Sequence, residues 1–183
     1  MKKILALLTV AMLVTMSIGT AAYARPANAG RQNANQPSPS IVEVAIAVNA
    51  DGPFAGQFDT LIAAVLAADP AVLETLSGRG QFTVFAPTDD AFAELGFDAD
   101  NIGTLDQGAL TQILLYHVAR GSRDEESVIG STRIRTLQGG FLSQSGGTLT
   151  DNLGREANII VTDVPAANGM IHAINAVVLP FAP

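Results

Sequence analysis

His117 and His172 are the only histidines in the chain, and there is no cysteine. Any imidazole base or metal ligand must therefore come from one of two positions. No G-x-S-x-G elbow and no H-E-x-x-H pair accompanies them, so an extracellular hydrolase would need an unmarked serine triad assembled by the fold. His117 falls seven residues after Leu110 and three after Leu114. That spacing puts it on the apolar stripe of a helix or at its end, and predicts a hydrogen-bonded core histidine. Tyr116 lies on another face of the same helix, where it packs with its hydroxyl satisfied at the surface or touches a ligand. His172 shares a strand face with Met170, Ile174 and Val178 and also reads as structural. Asp163, followed by Val164, is placed at the end of a strand, where a carboxylate accepts nearby backbone N–H groups.

Two acidic stretches complete the inventory. Asp98 to Gly103 opens like a calcium loop, but Ile102 stands in place of the fifth ligand and Ala109 in place of the bidentate glutamate, which leaves a turn between helices. The run Asp124-Glu125-Glu126, flanked by Arg120 and Arg123, reads as a solvated loop. No catalytic residue, metal or cofactor is expected.

The elements that position these side chains begin at Ser40. Ser40 and Glu43 have the capping-box spacing, and Ile41, Val44, Ala45 and Val48 follow at helical intervals. A second helix carries Phe58, Leu61, Ile62, Val65 and Leu66 on one stripe, opened by Asp59 and stopped by Asp69-Pro70. Asp69 and Pro70 suit the N-cap and first position of a short third helix with Val72, Leu73 and Leu76. Gln81 to Phe85 is a strand broken by Pro87, and Thr88 caps a helix with Asp89 and Asp90 in its first turn. A further helix runs from about Gln107 to Tyr116. Beyond it, β-rich runs (Ile134 to Leu137, Phe141 to Ser143, Asn158 to Thr162, Met170 to Leu179) alternate with glycine turns, and Asn168-Gly169 closes a hairpin. Helices early and strands late predict an α+β domain with a mainly antiparallel sheet or sandwich.

Ahead of this domain, Lys2 and Lys3, an apolar run from Ile4 to Ile18 and Ala22-Tyr23-Ala24 make a secretory signal over residues 1–24. The run is interrupted by Thr9, Thr15 and Gly19 and is too short for a membrane span, which needs about 20 apolar residues. No cysteine follows to take a lipid. Residues 25–39 (RPANAGRQNANQPSP) hold only alanine as an apolar side chain and form a flexible linker, leaving 40–183 as the folded domain. Both lysines lie in the leader, so the exported chain has eight arginines against seventeen acids and a net charge of −9. That charge disfavours nucleic acid and anionic lipid as partners. A periplasmic or extracellular location follows from the leader.

Three segments taken together resemble the fasciclin domain: TVFAPTDDAF (Thr83 to Phe92), LLYHV (Leu114 to Val118) and NGMIHAINAVVLP (Asn168 to Pro180). The resemblance implies a wedge of two mainly antiparallel β-sheets with an N-terminal helical cluster, and a role in adhesion and matrix interaction. In animal relatives, partner binding is attributed to a Tyr-His segment and an Asp-Ile pair. Tyr116 and His117 match the first and Asp163-Val164 the second, with Pro165 where the family usually has leucine. The position is carried over, not the receptor, and His172 joins these as a partner-binding candidate. The implied function is a secreted binding module for an extracellular or cell-surface protein or polysaccharide. The alternative is a carrier for a hydrophobic small molecule such as a carotenoid or lipid, and its distinguishing feature would be an apolar cleft between helices and sheet.

Overall fold

The computed structural model describes residues 39–182; the expected leader and most of the linker lie outside them. Helix α1 (Ile41–Ala50) starts in a reciprocal capping box: the Ser40 backbone N–H donates to the Glu43 carboxylate at 2.8 Å, and the Glu43 N–H donates to the Ser40 hydroxyl. Helix α3 (Pro70–Ser77) starts as its sequence predicts, with the Asp69 carboxylate accepting from the Ala71 N–H.

Helix α2 (Asp59–Ala67) is capped differently. Its N-cap, Phe58, has no side-chain oxygen to offer, and the free N–H groups of Asp59 and Thr60 donate to the carboxylate of Asp89, at 3.2 and 2.9 Å. Asp89 opens helix α4 (Asp89–Ala93), whose own N-cap Thr88 makes no side-chain capping bond. The expected Thr88 cap is thus absent, and the acid expected to favour α4 is turned onto the neighbouring helix. A 3₁₀ turn at Ile102–Thr104 follows, where the Asp98 carboxylate accepts the N–H groups of Asp100 and Asn101. Helix α5 (Gln107–Tyr116) is capped by Asp106. Glu125–Ile129 forms a short helix α6 capped by Asp124, correcting the expected loop; five residues are too few to show helical periodicity.

Seven strands follow one another in the ladder. They are β1 (Phe82–Pro87), β2 (Val118–Arg120), β3 (Arg133–Arg135), β4 (Phe141–Ser145), β5 (Thr148–Thr150), β6 (Glu156–Ala166) and β7 (Gly169–Ile174), in spatial order β2-β1-β7-β6-β5-β4-β3. All neighbouring pairs are antiparallel except β1 with β7, in which Phe82 lies beside Gly169 and Pro87 beside Ile174. Long β6 serves both halves, pairing with β5 through Glu156 to Asn158 and with β7 through Ile159 to Ala166. The two end strands come together at a bridge between Ala119 and Thr136. Pro87 is the last residue of β1 and not a break before it. β7 stops at Ile174, well short of the expected Leu179, and the segment after it runs irregularly.

Two apolar cores result. The helices α1 to α5 pack on Val84, Ala86, Val118 and Ile171. A second core fills the strand half with Phe85, Tyr116, Val128, Ile134, Leu142, Leu149 and Ile174. Strand β1 feeds both, so every residue in it is buried, as expected for a strand covered on both faces. No single described helix is long and apolar enough to cross a membrane.

Candidate functional site

Tyr116 ends α5 and drops into the second core, fully buried, where its hydroxyl donates to the Phe141 carbonyl at 2.7 Å. The expected surface position for that hydroxyl is thus corrected, and burial pushes the phenol above its ordinary range. His117 is the C-cap of α5 and is also buried. Its Nδ1–H donates to the Ile113 carbonyl at 2.8 Å, and its Nε2 accepts the Val178 N–H at 3.1 Å. These partners fix a neutral tautomer. Burial pushes the imidazole down from 6.5 to about 4.

His172 lies on β7 with no exposed surface, stacked on Phe85 with ring centres 5.9 Å apart. Its Nδ1 accepts the Asp163 N–H at 3.3 Å and its Nε2–H donates to the Arg123 carbonyl at 2.9 Å. Both histidines therefore spend both nitrogens on the main chain and keep none for a serine hydroxyl. Among the described residues, no three His, Cys, Asp or Glu side chains converge as metal ligands.

Asp163 is not at the end of a strand. It lies inside β6, where the pairing with β7 slips between Val161 and Val164, and it has φ 59°, the one non-glycine positive φ among the described residues. Its exposed carboxylate accepts the Glu125 N–H at 2.8 Å at the start of α6, and Val164 is half-buried against the helical core. Of the five sequence-predicted residues, the structure joins Asp163 and His172 directly. Tyr116 and His117 point into two different networks.

Sequence reasoning missed Asn168 as a hub. The two-residue hairpin turn is Ala167-Asn168, one position earlier than expected, because Gly169 already pairs with Ala166. The Asn168 side chain accepts the Ile41 N–H at 2.8 Å and donates to the carbonyls of Leu76 and Gly78 at 2.7 and 2.9 Å. One buried amide thus joins the start of α1, the end of α3 and the sheet. Gly169 must lack a side chain, since a Cβ there would collide with the Phe82 carbonyl of the adjacent strand.

Between the helices and the sheet runs an apolar cleft of about 130 Å³. Its walls are Ile41, Val42 and Ala45 of α1, Leu61, Ile62 and Val65 of α2, and Leu73 and Leu76 of α3. Val84, Leu114, His117 and Val118 line its sheet side. At the mouth stand Ile46, 49% exposed, and Leu66, 70% exposed. Helical periodicity places Leu66 on the core stripe, yet it lies at the rim, where no helix among the described residues packs over it.

The family model for the fasciclin domain matches residues 56–180. The chain belongs to the fasciclin family. It is 41% identical to protein sll1483 of Synechocystis sp. over 129 residues, 67% of each chain. It is 35% identical to protein sll1735 of the same organism over 144 residues, which is 77% of this chain and 98% of that one. Among solved structures, it resembles the FAS1 domain pair of the insect cell adhesion molecule fasciclin I, with a TM-score of 0.51 and 20% identity, over 63% of this chain and 42% of that one. The α+β architecture of the fasciclin fold is thereby established.

Proposed function

We propose that this fasciclin protein is an exported, non-enzymatic binding module that acts in adhesion or in surface and matrix interaction. The family supports the class, and the observation that carries the reading is the open apolar cleft. It is the kind of concave apolar surface that binding proteins present, and its Leu66 lip is left in solvent. The buried histidines, each bonded twice to the backbone, support the absence of catalysis. The exposed Asp163 carboxylate is the candidate polar contact; Tyr116, His117 and His172 hold the scaffold. The test is attachment and matrix composition of cells lacking the gene. Loss of attachment, restored by the wild-type chain and not by Leu66→Asp, is expected; unchanged attachment sinks the reading.

A second reading, carriage of a hydrophobic small molecule, draws on the same cleft. About 130 Å³ is well below the volume of a drug-sized pocket, so the cleft would seat an apolar end group and leave the rest of a carotenoid or lipid along the Ile46 and Leu66 lips. Organic extracts of the purified protein, examined by absorbance and mass spectrometry, decide it. A colourless, lipid-free preparation that takes up neither class of ligand ends this reading.

A further inference from the structure

The Ala119–Thr136 bridge also shapes the surface where the two ends of the ladder meet. It brings the end of β2, with Arg120, beside the end of β3, with Arg135, although these strands stand at opposite ends of the ladder. Arg120, Arg123 and Arg135 then surround a concavity of about 410 Å³ that shares no residue with the cleft. Arg133, two residues before Arg135 on β3, holds its guanidinium 4.2 Å from the centre of the Phe141 ring. Four of the six described arginines thus fall between residues 120 and 135, whereas eleven of the seventeen acids fall between Glu43 and Asp106.

Of the acids around the concavity, Glu126 alone is left to solvent on α6 with no side-chain hydrogen bond, and the others are engaged. Asp124 caps α6, Glu125 accepts from the Thr162 hydroxyl, and Asp163 accepts from the Glu125 N–H. Among the described residues the one ion pair is Arg155 with Asp151, so no arginine of the concavity is neutralised. Arg123 is also held in place. Its N–H donates to the Thr83 hydroxyl at 2.9 Å, its carbonyl accepts from His172, and its guanidinium donates to the Ser131 hydroxyl at 3.2 Å. A fully buried histidine and a fully buried threonine therefore preset the backbone of a positive side chain.

We infer that this arginine concavity is a separate binding site and that its ligand is an acidic sugar, a ring bearing a carboxylate or sulfate within a surface or matrix polysaccharide. Guanidinium forks match the paired oxygens of either group. The site is recessed, which suits a projecting anionic group better than a flat bilayer. The acids elsewhere on the chain repel a continuous polyanion such as nucleic acid, while a sugar chain presents its charges one ring at a time.

Calorimetric titration of the protein as exported tests this with a galacturonate oligomer, a sulfated oligosaccharide of similar length and a neutral glucan. Acidic sugar binds and the glucan does not, and the tighter of the two acidic sugars names the anion. Arg120→Gln and Arg135→Gln each weaken that binding about tenfold. Both side chains are exposed, so thermal melting of the variants stays as in the wild type. Leu66→Asp leaves sugar binding intact, which separates this site from the cleft reading. Failure of both acidic sugars to bind overturns the proposal, as does equal binding of the glucan or wild-type affinity in both arginine variants. Displacement of the sugar by phosphatidylglycerol vesicles or duplex DNA at equal charge also overturns it.

Discussion

The imidazole of His172 donates to the backbone carbonyl of Arg123 at 2.9 Å, joining a fully buried side chain of β7 to the segment that leads into α6. On its other side the same ring accepts the Asp163 N–H within the β6 irregularity. His172→Phe keeps the stacking on Phe85 and loses both bonds, leaving the Arg123 carbonyl and the Asp163 N–H without their partner. A loss of about 2 kcal/mol is expected, since an orphaned polar group costs roughly 1–3 kcal/mol. Urea unfolding measures it, and a variant as stable as the wild type would show that the ring only fills space.

His117 makes stability depend on pH. In the folded chain its imidazole titrates at about 4, against 6.5 unperturbed, because protonation would put a charge in the core and turn an N–H toward the Val178 N–H. The folded state therefore binds fewer protons than the unfolded state between these values. The contribution is fully present above pH 6.5 and is lost as pH falls toward 4. It amounts to about 3 kcal/mol. Unfolding midpoints measured from pH 7 down to pH 4, with His117→Gln as reference, should show a steeper fall in the wild type across that window. Parallel curves would contradict the assignment. Glu43 and Asp124, held below their ordinary 4.5 and 3.8 by hydrogen bonds from Ser40 and Ser127, add acid sensitivity at lower pH.

Local rules made much of this legible in the sequence. The Ser40–Glu43 box and the Asp69-Pro70 start each depend on residues within one turn, and the three fasciclin segments fall on β1 with α4, on α5 with β2, and on β7. What escaped was set by distant partners. Asp89 caps a helix 29 and 30 residues away, and Asn168 reaches back 90, 92 and 127 residues. Neither leaves a periodic trace. β6 looked shorter than it is because the slip around Asp163 interrupts its alternation. The cleft and the arginine concavity were invisible for the same reason: each is assembled from segments whose spacing in sequence says nothing of their spacing in space.

Asn168 should be a costly position for any polar change. Its three bonds are internal, and one of its donors faces the Leu76 carbonyl in a buried site. Asn168→Ala abandons the Ile41 N–H and two carbonyls, with an expected loss of about 3 kcal/mol. Asn168→Asp should be worse still, because it turns a carboxylate oxygen onto the two carbonyls that the amide NH₂ now satisfies. Denaturant unfolding of the pair gives the order. An aspartate variant more stable than the alanine one would mean that the amide is not oriented as described.

Asp163 combines an unusual backbone with an exposed carboxylate, and substitutions can separate the two. A β-carbon at φ 59° is disfavoured by roughly 1 kcal/mol, which glycine would relieve. The carboxylate in return accepts the Glu125 N–H. Asp163→Gly and Asp163→Ala both lose that bond, but only glycine loses the strain, so the glycine variant should be the more stable by about 1 kcal/mol. Asn, which tolerates this conformation and keeps an acceptor, should match the wild type. If Asp163→Asn leaves the unfolding midpoint unchanged yet abolishes surface attachment, the charge itself meets the partner. If stability and attachment fall together across the series, Asp163 serves the partner only by holding β6 and α6 in place.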